Sequence, residues 1–172
     1  MFVTGVGKIW SQENIDEREP KVMAILAFYT GLFLSALLFA LMEIQIEGGN
    51  GWAAQLPTWR VENRWTRLFF GPRPLTGYHL YVLLFVLLMA HAPFFLTMAV
   101  PTWRGEARVG SFIILFWVLE DFLWFAFNPN FGVAKFRKQH IWWHAANWWW
   151  IMPRDYWIFV PVGLLLFYVS QV

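Results

Sequence analysis

The sequence predicts an all-α integral membrane protein with four transmembrane helices and two interfacial amphipathic helices on one side. Three observations predict it. Hydrophobic residues make up 59% of the 172-residue chain and charged residues only 14%, where a soluble domain has about a quarter charged. The mean hydropathy is +0.46. The 13 Trp and 18 Phe are side chains that collect at the headgroup boundary, where an apolar ring and a polar N–H are both accommodated.

The first span is read at 22–43, after Lys21 and closing on Glu43. It is long enough to cross about 30 Å of hydrocarbon at about 1.5 Å per residue. The second covers 77–100 and stops at Pro101, and the third covers 109–128 and stops at Pro129, since proline cannot continue a helix. The fourth, 155–172, is the shortest. No internal repeat is visible, so one transmembrane domain over 1–172 is expected. Before the first span, Lys8 is followed by Glu13, Asp16, Glu17 and Glu19 with no apolar core. A cleavable signal peptide is therefore not expected, and insertion relies on the first helix.

Four spans put both long connections, 47–74 and 129–154, on the face opposite the termini. Within 58–70, Arg60, Arg64 and Arg67 fall at i, i+4, i+7, with Val61, Trp65, Leu68 and Phe69 on the other side. That spacing predicts an interfacial helix whose arginines meet lipid phosphates. A second interfacial helix is expected over 135–150, where Lys135, Arg137 and Lys138 precede a run holding five tryptophans. The long-loop side carries eight basic residues (Arg60, Arg64, Arg67, Arg73, Lys135, Arg137, Lys138, Arg154) against five on the terminal side (Lys8, Arg18, Lys21, Arg104, Arg108). The positive-inside rule then places the long loops in the cytoplasm.

The third span contains the chain's main energetic anomaly, adjacent Glu120 and Asp121 in an otherwise apolar run. A carboxylate at the bilayer centre costs on the order of 2.5 to 3.5 kcal/mol on insertion scales, so the pair needs partners. Other polar groups fall at matching depth. Glu43 ends the first span on the long-loop side, and Asn128 continues the Glu120 stripe at i+8. His140 and His144, at i, i+4, are expected on one face of the second interfacial helix just above. Imidazole and carboxylate together suit a transition metal such as iron, manganese, copper or zinc. Glu43, Glu120, Asp121, Asn128, His140 and His144 form the expected metal site. With four histidines in the chain, the inventory is lean for a two-metal centre. A single ion, or one completed by another subunit, fits that count better.

Each residue also has a bland reading. Glu43 and His79 sit where interfacial residues sit, His140 and His144 lie among surface tryptophans, and a protonated or ion-paired acid needs no catalysis. His91 stands apart, two residues before Pro93 and beside small alanines. There it has room to ligate haem iron or chlorophyll magnesium, or to bond a carbonyl freed by the proline.

The expected function is a metal-dependent membrane oxidoreductase acting on a lipid or other apolar substrate. Two alternatives accompany it: a non-catalytic subunit of a photosynthetic or respiratory complex, binding pigment or haem through His91, and a proton or ion pathway using the buried acids. Membrane lipids and other transmembrane subunits, or further copies of the chain, are the expected partners. A net charge of +2 argues against nucleic acid, and the absence of cysteine excludes disulfides and thiolate metal sites. No catalytic residue is assigned.

Overall fold

The computed structural model describes residues 18–71 and 73–172. Lys8 and the acidic residues at 13, 16 and 17, on which the signal-peptide expectation rests, lie outside them. Helix α1 spans Arg18–Glu47, one turn beyond the expected stop at Glu43. It ends at Gly48, whose φ of 66° is the left-handed conformation that closes helices at little steric cost to glycine. Strand β1 (Arg60–Val61) pairs antiparallel with β2 (Leu75–Thr76), enclosing the short helix α2 (Arg64–Phe70). Helix α3 (Gly77–Ala90) follows β2 directly, α4 (Ala92–Leu96) extends it past His91, and α5 covers Trp103–Phe127. A turn-rich connection contains a second two-residue ladder, β3 (Trp148–Trp149) with β4 (Met152–Pro153), and leads into α6 (Arg154–Val169).

Two helices, α1 and α5, are long and apolar enough to cross a membrane. The second expected span breaks at His91, because Pro93 cannot donate its backbone bond and starts a separate short helix. The 14 residues of α3 and the 16 of α6 give about 21 and 24 Å, short of about 30 Å of hydrocarbon.

Both interfacial segments differ from the expected helices. Over 58–70 only α2 is helical. Asn63 caps it by accepting from the Trp65 and Thr66 amides at 2.8 and 2.9 Å, and Thr66 returns a bond to the Asn63 amide. Arg60 is in a strand, and its guanidinium donates to the carbonyls of Ala53, Ala54, Leu56 and Thr58. It organises a loop. Over 135–150 there is no α-helix, only turns, two 3₁₀ turns, Val133–Lys135 and Ala145–Asn147, and the two residues of β3. The apolar residues there are consecutive, so no single helix face could bury them. Instead Ile141 and Trp143 are buried, while Trp142, Trp149 and Trp150 stay exposed. The Trp143 ring stacks on Phe125 at 5.6 Å.

Helix α5 is the hub, packing along α1 and α6 and only lightly on α3. Ala36 and Ala40 of α1 are fully buried in the core, since small side chains let helix backbones approach closely. Against α6, Ser111 Oγ donates to the Gly163 carbonyl at 2.8 Å. A Cβ on Gly163 would stand 2.6 Å from Leu115 Cγ, so glycine is required at this crossing. The thin contact of α3 leaves a gap beneath the long loops.

Candidate metal centre

A cavity of about 410 Å³ occupies that gap, walled by the C-terminal end of α1, the start of α3, one stripe of α5 and the first turns of α6. The extra turn of α1 decides its chemistry. Glu43 and Glu47 stand at i, i+4 and so share one helix face, both buried. Glu43 Oε1 accepts from the Tyr78 hydroxyl at 3.0 Å, and Glu47 Oε1 accepts from the Ala53 amide at 2.5 Å. His79 Nε2 lies 3.8 Å from Glu47 Oε1. One donor atom from each of Glu43, Glu47 and His79 falls within 4.8 Å of the others.

His79 is held on three sides. The Thr76 hydroxyl caps α3 by accepting from the His79 amide at 3.1 Å and meets Nδ1 at 2.7 Å. In the tautomer in which Nδ1–H donates to Thr76, Nε2 carries the lone pair on the side of Glu47, the arrangement that orients metal-binding histidines. Trp52 stacks on the imidazole with ring centroids 4.0 Å apart and is anchored by its indole N–H on the Pro74 carbonyl at 2.9 Å. Trp52 and Ala53 both have left-handed backbone, φ 50° and 49°. Such strain costs on the order of 1 kcal/mol or more per residue and clusters at functional sites. Here it delivers the Trp52 ring to His79 and the Ala53 amide to Glu47.

Arg73 lies over the Trp52 ring, 4.3 Å from its centroid, with Nε donating to the Phe70 carbonyl at 2.8 Å. Burial lowers its guanidinium pKa from the ordinary value, while the Asp121 and Asp155 charges oppose the shift. Among the described residues, Arg73 is the Lys or Arg side chain that lines the cavity.

Glu120 is 4% exposed and lines the cavity together with Glu43. Among the described residues, three buried side-chain N or O atoms have no hydrogen-bond partner: Glu120 Oε1 and the indole nitrogens of Trp117 and Trp124. All three belong to one stripe of α5, at i−3, i and i+4, and all three residues line the cavity. Buried polar atoms are nearly always satisfied in native proteins, so this stripe presents one free acceptor, Glu120 Oε1, and two free indole donors to the cavity.

Asp121 points to the next sector. Its Oδ2 accepts from the Tyr156 hydroxyl at 2.5 Å and stands 3.1 Å from His144 Nε2. His144 is 5% exposed, packed against Phe125 and Tyr156.

Of the six expected ligands, four line this cavity: Glu43, Glu120, Asp121 and His144. The others lie elsewhere. His140 is exposed on a turn, because the helix that was to align it with His144 is absent. Asn128 is buried but engaged in the fold, donating to the Gly48 carbonyl at 2.8 Å and accepting from the Asn130 amide at 3.0 Å. His91 is remote, with Nδ1 2.7 Å from the Leu87 carbonyl and Nε2 3.2 Å from Glu106. Neither nitrogen is free to ligate a macrocycle without breaking a bond. Sequence reasoning missed Glu47 and assigned His79 to the interface. The i, i+4 spacing of Glu43 and Glu47 was the available signal.

No protein-family model, curated protein or solved structure matches the chain. The assignment of a function therefore rests on the site.

Proposed function

We propose that the chain is a multi-pass membrane metalloprotein, a metal-dependent oxidoreductase acting on a lipid or other apolar substrate in the cavity beneath the long loops. The observation that carries this reading is the convergence of Glu43, Glu47 and His79 within 4.8 Å, beside a buried Glu120 oxygen that has no partner. A mixed carboxylate and imidazole set suits first-row transition metals, with iron and manganese better served by the carboxylates than copper or zinc. A bound ion also removes the cost of keeping these acids away from water.

The substrate class follows from the walls. Apart from the donor groups the cavity is lined by side chains such as Leu80, Leu83, Val118 and Phe159, and an apolar molecule gains by leaving water for such a surface. The outer face of α3 exposes Tyr81, Leu84, Phe85 and Leu88, which favours lipid or partner helices around it. In this reading α3 with α4 and α6 complete four crossings. The basic long loops then face the cytoplasm.

The test is elemental analysis of the detergent-purified full chain. Near-stoichiometric iron, manganese, copper or zinc, lost in Glu43→Gln and His79→Gln, is expected. A folded, metal-free protein that takes up none of these ions removes the proposal.

A further inference from the structure

We infer that the cavity is built for two metal ions, with a second ion held by Asp121 and His144 and the Glu120 carboxylate shared between it and the ion at Glu43, Glu47 and His79. The inference rests on the proposed metalloprotein reading and adds a site to it. Three observations carry it.

The first is geometric. Two donors bound to one ion at about 2.0 to 2.2 Å sit about 3.0 to 3.6 Å apart in adjacent coordination positions. Asp121 Oδ2 and His144 Nε2 are 3.1 Å apart, a separation two ligands of one ion can keep when the ion replaces the hydrogen bond that joins them. The Glu43, Glu47 and His79 donors, spread over as much as 4.8 Å, must contract by up to roughly 1 Å to meet the same bond lengths. Tyr156, bonded to Asp121 at 2.5 Å, fixes the carboxylate as an outer-sphere partner does in metal sites.

The second is the position of Glu120. It is buried, precedes Asp121 on α5, and lines the same cavity as both donor groups. Its Oε1 is buried and unpartnered. A carboxylate between two ions about 3.5 to 4 Å apart uses both oxygens, and this would satisfy the orphan.

The third is charge. Glu43, Glu47, Glu120 and Asp121 can supply four negative charges in a space where Arg73 is the facing cation. With Arg73 counted, one divalent ion leaves a net charge of about −1 and two leave about +1, so the four carboxylates accommodate a second ion as well as a first. The donor count agrees. Adding Glu47 and His79 brings the set to four carboxylates and two imidazoles, the composition helical bundles use for paired iron or manganese, although the spacing along this sequence differs from theirs.

The test is Mn(II) titration of the detergent-solubilised full chain, read by bound equivalents and by electron paramagnetic resonance. The expected result is saturation at about two equivalents with an exchange-coupled spectrum, as for paired ions. His144→Gln and the isosteric Asp121→Asn should each lower saturation to about one equivalent and leave an isolated-ion spectrum. Circular dichroism of each variant checks its fold, and the wild-type spectrum needs no variant. Saturation of the wild type at one equivalent, or two coupled ions retained in both variants, overturns the second site while leaving the metalloprotein reading intact. Failure to bind Mn(II), iron, copper or zinc removes both.

Discussion

Thr76→Val replaces a hydroxyl by a methyl in a fully buried side chain of nearly the same shape, and its consequences separate fold from site. The hydroxyl makes two contacts, with the His79 amide at 3.1 Å and with His79 Nδ1 at 2.7 Å. The first is the N-cap of α3, and losing such a cap costs about 1 kcal/mol. The second sets which imidazole nitrogen carries the proton. Removing an outer partner of a ligating histidine weakens metal binding by about 10- to 100-fold, or about 1.4 to 2.7 kcal/mol. Two readouts are therefore expected to move, by different amounts: stability in a denaturant series, and metal affinity by competition with a calibrated chelator. Thr76→Ser keeps the oxygen and should restore both. A Thr76→Val protein that loses stability yet binds metal with unchanged affinity would refute His79 as a ligand and leave Thr76 as a helix cap alone.

Other substitutions test the remaining assignments. Asn128→Ala should cost about 1 to 3 kcal/mol by stranding the Gly48 carbonyl and the Asn130 amide, with metal content unchanged; loss of metal at full stability would return Asn128 to the ligand set. His140→Ala and His91→Ala should both retain the metal, and an absorption band abolished by His91→Ala would instead favour a bound pigment or haem. Gly163→Ala should destabilise by about 1 to 3 kcal/mol as overpacking, because its Cβ meets Leu115 at 2.6 Å, and a thermal melt unchanged from wild type would contradict that crossing. Chelation should lower the melting temperature, since an ion present at a thousand times its Kd contributes about 4 kcal/mol, and an unchanged melt after verified metal removal would show that the ion does not stabilise the fold.

What was legible in the sequence was whatever announces itself by cost. Glu120 and Asp121 stand out because each is expensive in an apolar helix, and both line the cavity. The apolar stretches of α1 and α5 were legible for the same reason. Glu47 was not, because an acid just past an apolar run looks like the end of the helix. Only Gly48 in its left-handed conformation marks the true end, and it lies one turn later. His79 was misread because burial at a helix start depends on what the preceding loop lays over it, here Trp52. The 135–150 segment failed through period. His140 and His144 match a helical spacing, but Ile141, Trp142 and Trp143 between them do not. Tertiary packing of Ile141 and Trp143 on Phe125 and its neighbours set the local backbone.

The site is assembled by polar contacts more than by the apolar packing that holds α1, α5 and α6 together. Helix α3 touches α5 only lightly, and its first turn is instead fixed from the loop. The Gly77 amide donates to the Trp59 carbonyl at 3.0 Å, the Tyr78 amide donates to Thr58 Oγ1 at 3.0 Å, and the Tyr78 hydroxyl reaches Glu43. Closer packing of α3 would close the cavity. The loop thus maintains an opening that hydrophobic collapse would otherwise fill, and the strain at Trp52 and Ala53 is one of the costs of doing so. An ion bridging α1 and α3 would act in the same direction as these contacts, since it binds the folded donors and not the unfolded chain. Under the proposed reading, metal occupancy and the docking of α3 form one equilibrium. Weakening the loop by Thr58→Ala, which removes the hydroxyl that accepts from the Tyr78 amide and no donor atom, should loosen the metal as well.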